Sequence, residues 1–273
     1  EDVLPSLLAR KRKIMEKKKG ISGSTLKMIA IVTMLIDHIG AAVLARLLMV
    51  NGLGELDQTN TDAIVQWLSA NGALYGTYTA MRMIGRVAFP IFCFLLVEGF
   101  LHTHDVKKYA MRLGLFALLS EIPFDLAFSS KILEFNYQNV FFTLFIGLLT
   151  MIAYRAVEEK EEWNQALKVI LYILIVAAGM ALAYFLKTDY AEKGVFCIMV
   201  LYIFRKKKMW QLIAGCASFI WETPALFGFI PIAFYNGTRG WKMKYFFYIF
   251  YPAHLLILYL LCYFMGISGY SAV

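Results

Sequence analysis

Long apolar runs govern what this chain can fold into. From a Gly23-Ser24-Thr25 cap to Val50, then over Met83–Leu101, Tyr109–Phe128, Tyr137–Tyr154, Val169–Leu186 and Tyr245–Phe264, apolar residues continue with few interruptions. A helix needs about 20 such residues to cross the hydrocarbon of a bilayer. The runs are too long, and alternate too little, for barrel strands of about 10 residues. Composition agrees, at 60% hydrophobic and 16% aromatic, against about 45–50% apolar for a soluble domain. The expected fold is an all-α polytopic membrane protein: a bundle of about 9 transmembrane helices (roughly 8–10 by length), some short or broken, around a central chamber. Residues 1–24 form a basic cytoplasmic arm and residues 25–273 a single transmembrane domain.

The net charge of +8 does not describe a nucleic-acid groove, because the cations cluster beside apolar runs: Arg10–Lys13, Lys17–Lys19, Lys107 and Lys108, Arg205–Lys208, Arg239, Lys242 and Lys244. That is the positive-inside pattern. It places the N-terminus in the cytoplasm and assigns the partner as lipid rather than nucleic acid. Residues 51–80 carry Glu55, Asp57 and Asp62 but no Lys or Arg, and are expected as an outside loop with a short surface helix over Asp62–Leu68. Trp210–Tyr235 is too short for two spans and is broken by Glu222-Thr223-Pro224 and Pro231, which predicts a hairpin of short helices. The basic arm followed by a full span predicts no cleavable leader. Cys93, Cys197, Cys216 and Cys262 lie in apolar runs without CxxC spacing, so we expect buried thiols and no metal.

The first span holds Asp37 and His38 side by side near its middle. Ionisable residues at that depth are costly and mark functional sites. A helix turns about 100° per residue, so at least one of the two faces a protein interior or wet cavity. Antiparallel pairing of the next two spans sets Glu98 against Arg112, and Arg86 against Glu121 or Asp125; such pairs can simply staple helices together. Pro90 and Pro123 lie within these spans and free backbone groups there. The last span adds Tyr251-Pro252-Ala253-His254, a second mid-depth histidine that can share a site with His38. His102 and His104 sit at a span end and read as interfacial, with too few ligands for zinc. A histidine beside a carboxylate can take a proton from an amine or hydroxyl while a cation or tyrosine holds an oxyanion. The same groups can relay protons in a transporter, and spacing does not separate the two. No GxSxG elbow indicates a covalent acyl-enzyme, and no internal repeat indicates an inverted-repeat transporter.

Four strings carry a family resemblance: LKMIAIVTMLIDHIG, IGRVAFPIFCFLLVEGFLHTHDVKKYAMRLGLFALLSEIPFDLAF, NVFFTLFIGL and FYIFYPAHLLILYL. They resemble the TraX family of conjugal-transfer proteins, whose named member is associated with acetylation of the pilin N-terminus. That family is distantly similar to the transmembrane acyltransferases that include the lysosomal heparan glucosamine acetyltransferase. Residues 155–240 share much less. The resemblance implies a bacterial cytoplasmic-membrane protein, possible as a homo-oligomer, that moves an acetyl group from acetyl-CoA to an extracytoplasmic or membrane-embedded acceptor. Such an acceptor is an amine or hydroxyl on a peptide N-terminus, an amino sugar or an envelope glycan. His38 would be the general base, supported by Asp37 and Arg86. Glu121, Asp125 and His254 would line the same chamber. The phosphates of CoA call for cytoplasmic cations, for which Arg112, Arg239, Lys107 and Lys242 are the candidates. The alternatives are a proton-coupled transporter or flippase using the same buried charges, and a non-catalytic assembly protein.

Overall fold

A computed structural model of the chain describes residues 19–241 and 244–271. Lys242 and most of the basic arm, to residue 18, lie outside the described residues. Helix α1 (Gly23–His38) begins where the Ser22 hydroxyl accepts the Thr25 amide at 3.3 Å. Two of its first amides donate to the carbonyls of Thr238 and Arg239, which ties segment 234–239 to the start of the helix. Immediately after His38 the helix widens into a π-segment, Ile39–Leu44, and resumes as α2 (Ala45–Val50). Such wide turns recur at functional sites.

Helix α3 (Thr61–Gly85) is capped by Asn60 and runs to a break at Arg86–Val87, beyond which α4 (Ala88–His102) continues. Pro90 explains the break, since it has no amide to donate and its ring collides with the carbonyl four residues back, at Arg86. It therefore stands in the first turn of α4 rather than in mid-helix. The expected outside loop over residues 51–80 is corrected here: from Thr61 onward it is helix, not a loop with a short surface helix. The absence of Lys and Arg reports on sidedness and says nothing against a helix. The one acid in this helix, Asp62, sits in the first turn, where the helix dipole favours it.

Helix α5 (Val106–Ser129) is capped by Asp105 and carries Pro123 inside it. Helices α6 (Val140–Glu158) and α7 (Gln165–Phe185) are capped by Asn139 and Asn164. Helix α8 (Ala191–Ile203) follows, then the short pieces expected over Trp210–Tyr235: α9 (Lys208–Ser218), a 3₁₀ turn (Thr223–Gly228) and α10 (Phe229–Ala233). Helix α11 (Lys244–Phe264) closes the bundle with Pro252 in its interior.

The chain is an all-helical membrane protein, without β-strands among the described residues. Among the described residues, five segments are long and apolar enough to cross a membrane: Gly23–Val50, Thr61–His102, Val140–Glu158, Gln165–Phe185 and Tyr245–Phe264. Helix α5 is not among them; Lys107, Lys108, Arg112, Glu121 and Asp125 lower its hydropathy.

Helix α4 is the centre of the packing. It lies against α1, α6, α8 and the 3₁₀ turn, and Ile91, Cys93, Val97 and Phe100 are fully buried. A Cβ on Gly228 would press on Pro90 and the Val87 carbonyl, so the absence of a side chain there lets the 3₁₀ turn sit on the α3–α4 break. Helix α7 packs on α6 and α8 and exposes Ile173, Leu174 and Phe185, the face a lipid-bathed helix presents. Between such helices cohesion comes from close packing and polar contacts rather than from release of water.

One polar contact is unusual. Arg46 is fully buried and has no carboxylate partner among the described residues. Its Nε donates to the Tyr270 carbonyl at 2.8 Å, one terminal nitrogen to Ala42 (2.8 Å) and Ala127 (2.5 Å), and the other to Ser130 Oγ (2.9 Å) and Leu126 (3.4 Å). It joins the first membrane segment to the end of α5 and the C-terminal tail.

Candidate functional site

The π-segment, α5 and α11 converge on His38. His38 Nδ1 lies 2.7 Å from His254 Nε2, with the two rings within 4° of parallel. His254 Nδ1 lies 2.8 Å from the Phe250 carbonyl oxygen. A carbonyl only accepts, so His254 Nδ1 carries the hydrogen, and in the neutral ring its Nε2 has the lone pair. His38 must then donate from Nδ1, which leaves the His38 Nε2 lone pair free. Phe128 and Tyr251 close round the His38 ring edge-on, at centroid distances of 5.4 and 5.9 Å. Pairing the two mid-depth histidines from sequence is therefore supported by geometry, with His254 orienting His38.

Asp37, by contrast, does not orient the imidazole. Adjacent residues diverge by about 100°, so while His38 faces α11, Asp37 faces α3 and bonds Arg82 through Oδ2 at 2.7 Å. Its Oδ1 is buried without a partner. A Cβ at Gly85 would collide with this carboxyl group, so only glycine admits it.

The expected match of Arg86 with Glu121 or Asp125 is also corrected. The break at Arg86–Val87 turns Arg86 toward Glu222, 3.5 Å from its Nε, and toward the Tyr190 side chain. Glu121 instead accepts the Asn139 backbone amide at 3.3 Å, and the Asn139 side-chain amide as well. Asp125 accepts the Glu134 amide at 2.8 Å. Both acids thus secure the turn between α5 and α6. Each retains one buried oxygen without a partner, Glu121 Oε1 and Asp125 Oδ1. Glu98 and Arg112 are not paired either: Glu98 faces the Tyr235 hydroxyl and Arg112 the Tyr248 hydroxyl.

Two cavities adjoin here. The smaller, about 260 Å³, is lined by Asp37, His38, Arg82, Arg86, Tyr137, Asp189 and Tyr190 among others. The larger, about 580 Å³, is lined by Lys27, Glu98, His102, His104, Arg112, Arg239, Tyr248 and Tyr251 among others. Met34, Phe92 and Val140 belong to both walls. Of the cations proposed for phosphate, Arg112 and Arg239 line the larger cavity, and the tie between segment 234–239 and α1 brings Arg239 to Lys27. Lys107 is exposed and does not line it, and Lys242 lies outside the described residues. His102 and His104 also line the larger cavity, and both are exposed.

A family model described as TraX protein matches residues 22–262, which includes every described residue of both histidine-bearing helices up to Cys262. The chain belongs to the TraX family. It is 28% identical over 212 residues to a probable fimbrial assembly protein, FimC of serogroup H1, from Dichelobacter nodosus; the match covers 66% of this chain and 82% of that protein. No solved structure matches.

Several site residues of this TraX-family chain escape a reading of the sequence. Arg82 is one helical turn before Arg86, and the repeat MRMIGR, with a glycine between the two cations, was the available sign. Asp189 and Tyr190 come from a short loop whose amides are tied to the α6 entry: Asp189 N donates to the Gln138 carbonyl at 2.8 Å, and the Tyr137 hydroxyl donates to Asp189 Oδ1 at 2.6 Å. Nothing local announces that docking. Lys27, a cation within the first span, is placed in the larger cavity with its Nζ 5.1 Å from the Phe247 ring centre.

Proposed function

We propose that this TraX-family chain is a membrane-embedded acetyltransferase of the bacterial cytoplasmic membrane, with its N-terminus in the cytoplasm. It moves an acetyl group from acetyl-CoA to an amine or hydroxyl. The observation that carries this reading is the Phe250–His254–His38 relay, because it fixes a neutral imidazole with a free Nε2 lone pair at a cavity wall. A general base needs that lone pair to take the acceptor's proton as the acceptor attacks. The larger cavity supplies what the donor requires: an apolar passage for the thioester arm, and Lys27, Arg112 and Arg239 for phosphate. Arg82 and Arg86, neutralised by Asp37 and Glu222, are positioning residues for the smaller cavity, where the acceptor is received.

A second reading has one observation in its favour, the relative named as a fimbrial assembly protein; on that reading the chain assembles surface fibres without chemistry. Calorimetric titration of the purified protein with acetyl-CoA, together with a thiol assay for released CoA, separates the two. Micromolar binding to wild type and to His38→Ala, with CoA release lost only in the variant, is the expected result. Absence of acetyl-CoA binding to wild type would overturn the acetyltransferase reading.

A further inference from the structure

Tyr251 is 3% exposed, and its hydroxyl is a buried polar group without a hydrogen-bond partner. Leaving such a group unsatisfied in an apolar interior costs about 1–3 kcal/mol, so its persistence calls for a reason. The surroundings supply one. Tyr251 forms part of the larger cavity's wall, and its ring meets both His38 and His254 edge-on, at 5.9 and 5.6 Å between centroids. The amide of Val140, a residue of the partition between the cavities, approaches the Tyr251 oxygen without completing hydrogen-bond geometry. An amide can only donate, so the phenol's own hydrogen has no acceptor. A hydrogen-bond donor is thus held unspent beside a base, in the wall of the larger cavity next to Val140, which the smaller cavity shares.

We propose that Tyr251 is a catalytic residue whose hydroxyl holds the oxyanion formed during acyl transfer. This rests on the acetyltransferase reading. As the acceptor nitrogen or oxygen bonds to the thioester carbonyl carbon, the carbonyl π electrons move to oxygen, and the Tyr251 hydroxyl donates a hydrogen bond to that charge. His38 Nε2 takes the acceptor's proton. When the carbonyl re-forms, the carbon–sulfur bond breaks, and the departing thiolate takes the proton from the His38 imidazolium. Tyrosine keeps its proton throughout and no electrons are exchanged with it. A donor placed in advance and shielded from water stabilises this charge without reorganising. The ground-state carbonyl gains much less from it, so the contribution is read in kcat rather than in acetyl-CoA binding.

The test is steady-state CoA release by purified wild-type protein and Tyr251→Phe, with acetyl-CoA affinity measured by calorimetry on both. The expected result is a kcat lowered by about 10²–10³-fold with affinity within about twofold of wild type. A second variant, 3-fluorotyrosine in place of Tyr251, keeps the donor and retains kcat within about tenfold, which answers any objection that the Phe variant is misfolded. Turnover by Tyr251→Phe at the wild-type rate overturns this role for Tyr251 and leaves the acetyltransferase reading standing. Wild-type protein that releases no CoA overturns both.

Discussion

The first membrane segment buries charge in two places, and the two are treated in opposite ways. Arg46 spends its donors on carbonyls and one hydroxyl from α5, its own segment and the C-terminal tail. Around Asp37 and His38, by contrast, polar atoms are left over: Asp37 Oδ1 and the Tyr251 hydroxyl lack partners among the described residues, and His38 keeps a lone pair. A saturated buried cation is a fastening, whereas an unsaturated group maintained at energetic cost is one that waits for a ligand. On the proposed function, the difference separates a structural anchor from a reactive site within a single membrane segment.

The comparison is broken most sharply by exchanging the consequences. His38→Ala lowers CoA release by about 10²–10⁴-fold while leaving the thermal midpoint within a few degrees of wild type, as read by tryptophan fluorescence in detergent. Arg46→Leu does the reverse. It strands several buried carbonyls, each costing about 1–3 kcal/mol, so the variant melts far earlier or fails to accumulate, and whatever folds retains its turnover number. A catalytically silent but fully stable Arg46→Leu would erase the distinction.

Gly85→Ala tests the closeness of α1 and α3 at the charged layer. Its methyl collides with the Asp37 side chain from its Cβ outward, and overpacking of this kind costs about 1–3 kcal/mol; restoration by a second change that removes that Cβ, Asp37→Gly, would locate the strain. A smaller effect is expected for the Asp37–Arg82 pair. Arg82→Gln strands a carboxylate, so Arg82→Gln with Asp37→Asn should be more stable than Arg82→Gln alone. Equal melting of the two variants would show that the pair carries no coupling.

The smallest effect belongs outside the membrane segments, at Glu134. The side-chain hydrogen bond from Lys131 holds the Glu134 carboxyl below its ordinary value. A depressed folded value means that its stabilisation is present above the unfolded value and is lost as pH falls through the folded one. Lys131→Ala should therefore flatten the acid limb of the melting profile below about pH 4.5, and an unchanged limb would remove Glu134 from that dependence.

Much of this was legible in the sequence, and the exceptions have physical causes. The long runs, the broken stretch after Trp210 and the convergence of His38 on His254 follow from hydropathy, prolines and depth. Helix α3 is hidden in the sequence because the absence of Lys and Arg over 51–80 fits an outside loop and a lipid-facing helix equally well. The partner of Arg86 was missed because depth matching assumes an unbroken helix, and Pro90 breaks this one just at that residue. Arg46 gave no sign because most of its partners are carbonyls, which every residue has, contributed by chain 80 and 81 residues away at Leu126 and Ala127 and 224 away at Tyr270.

The π-segment between His38 and Arg46 reaches further than its six residues. A wide turn advances each side chain through a smaller angle than the usual 100°, so everything beyond it is out of phase with what came before. It works as a phase shifter: the imidazole and the guanidinium, though on one continuous rod, are aimed by separate clocks. Loss of one residue from Ile39–Leu44 would bring the rod back into step. His38 would keep its relay, and Arg46 would swing away from the carbonyls that moor the end of α5.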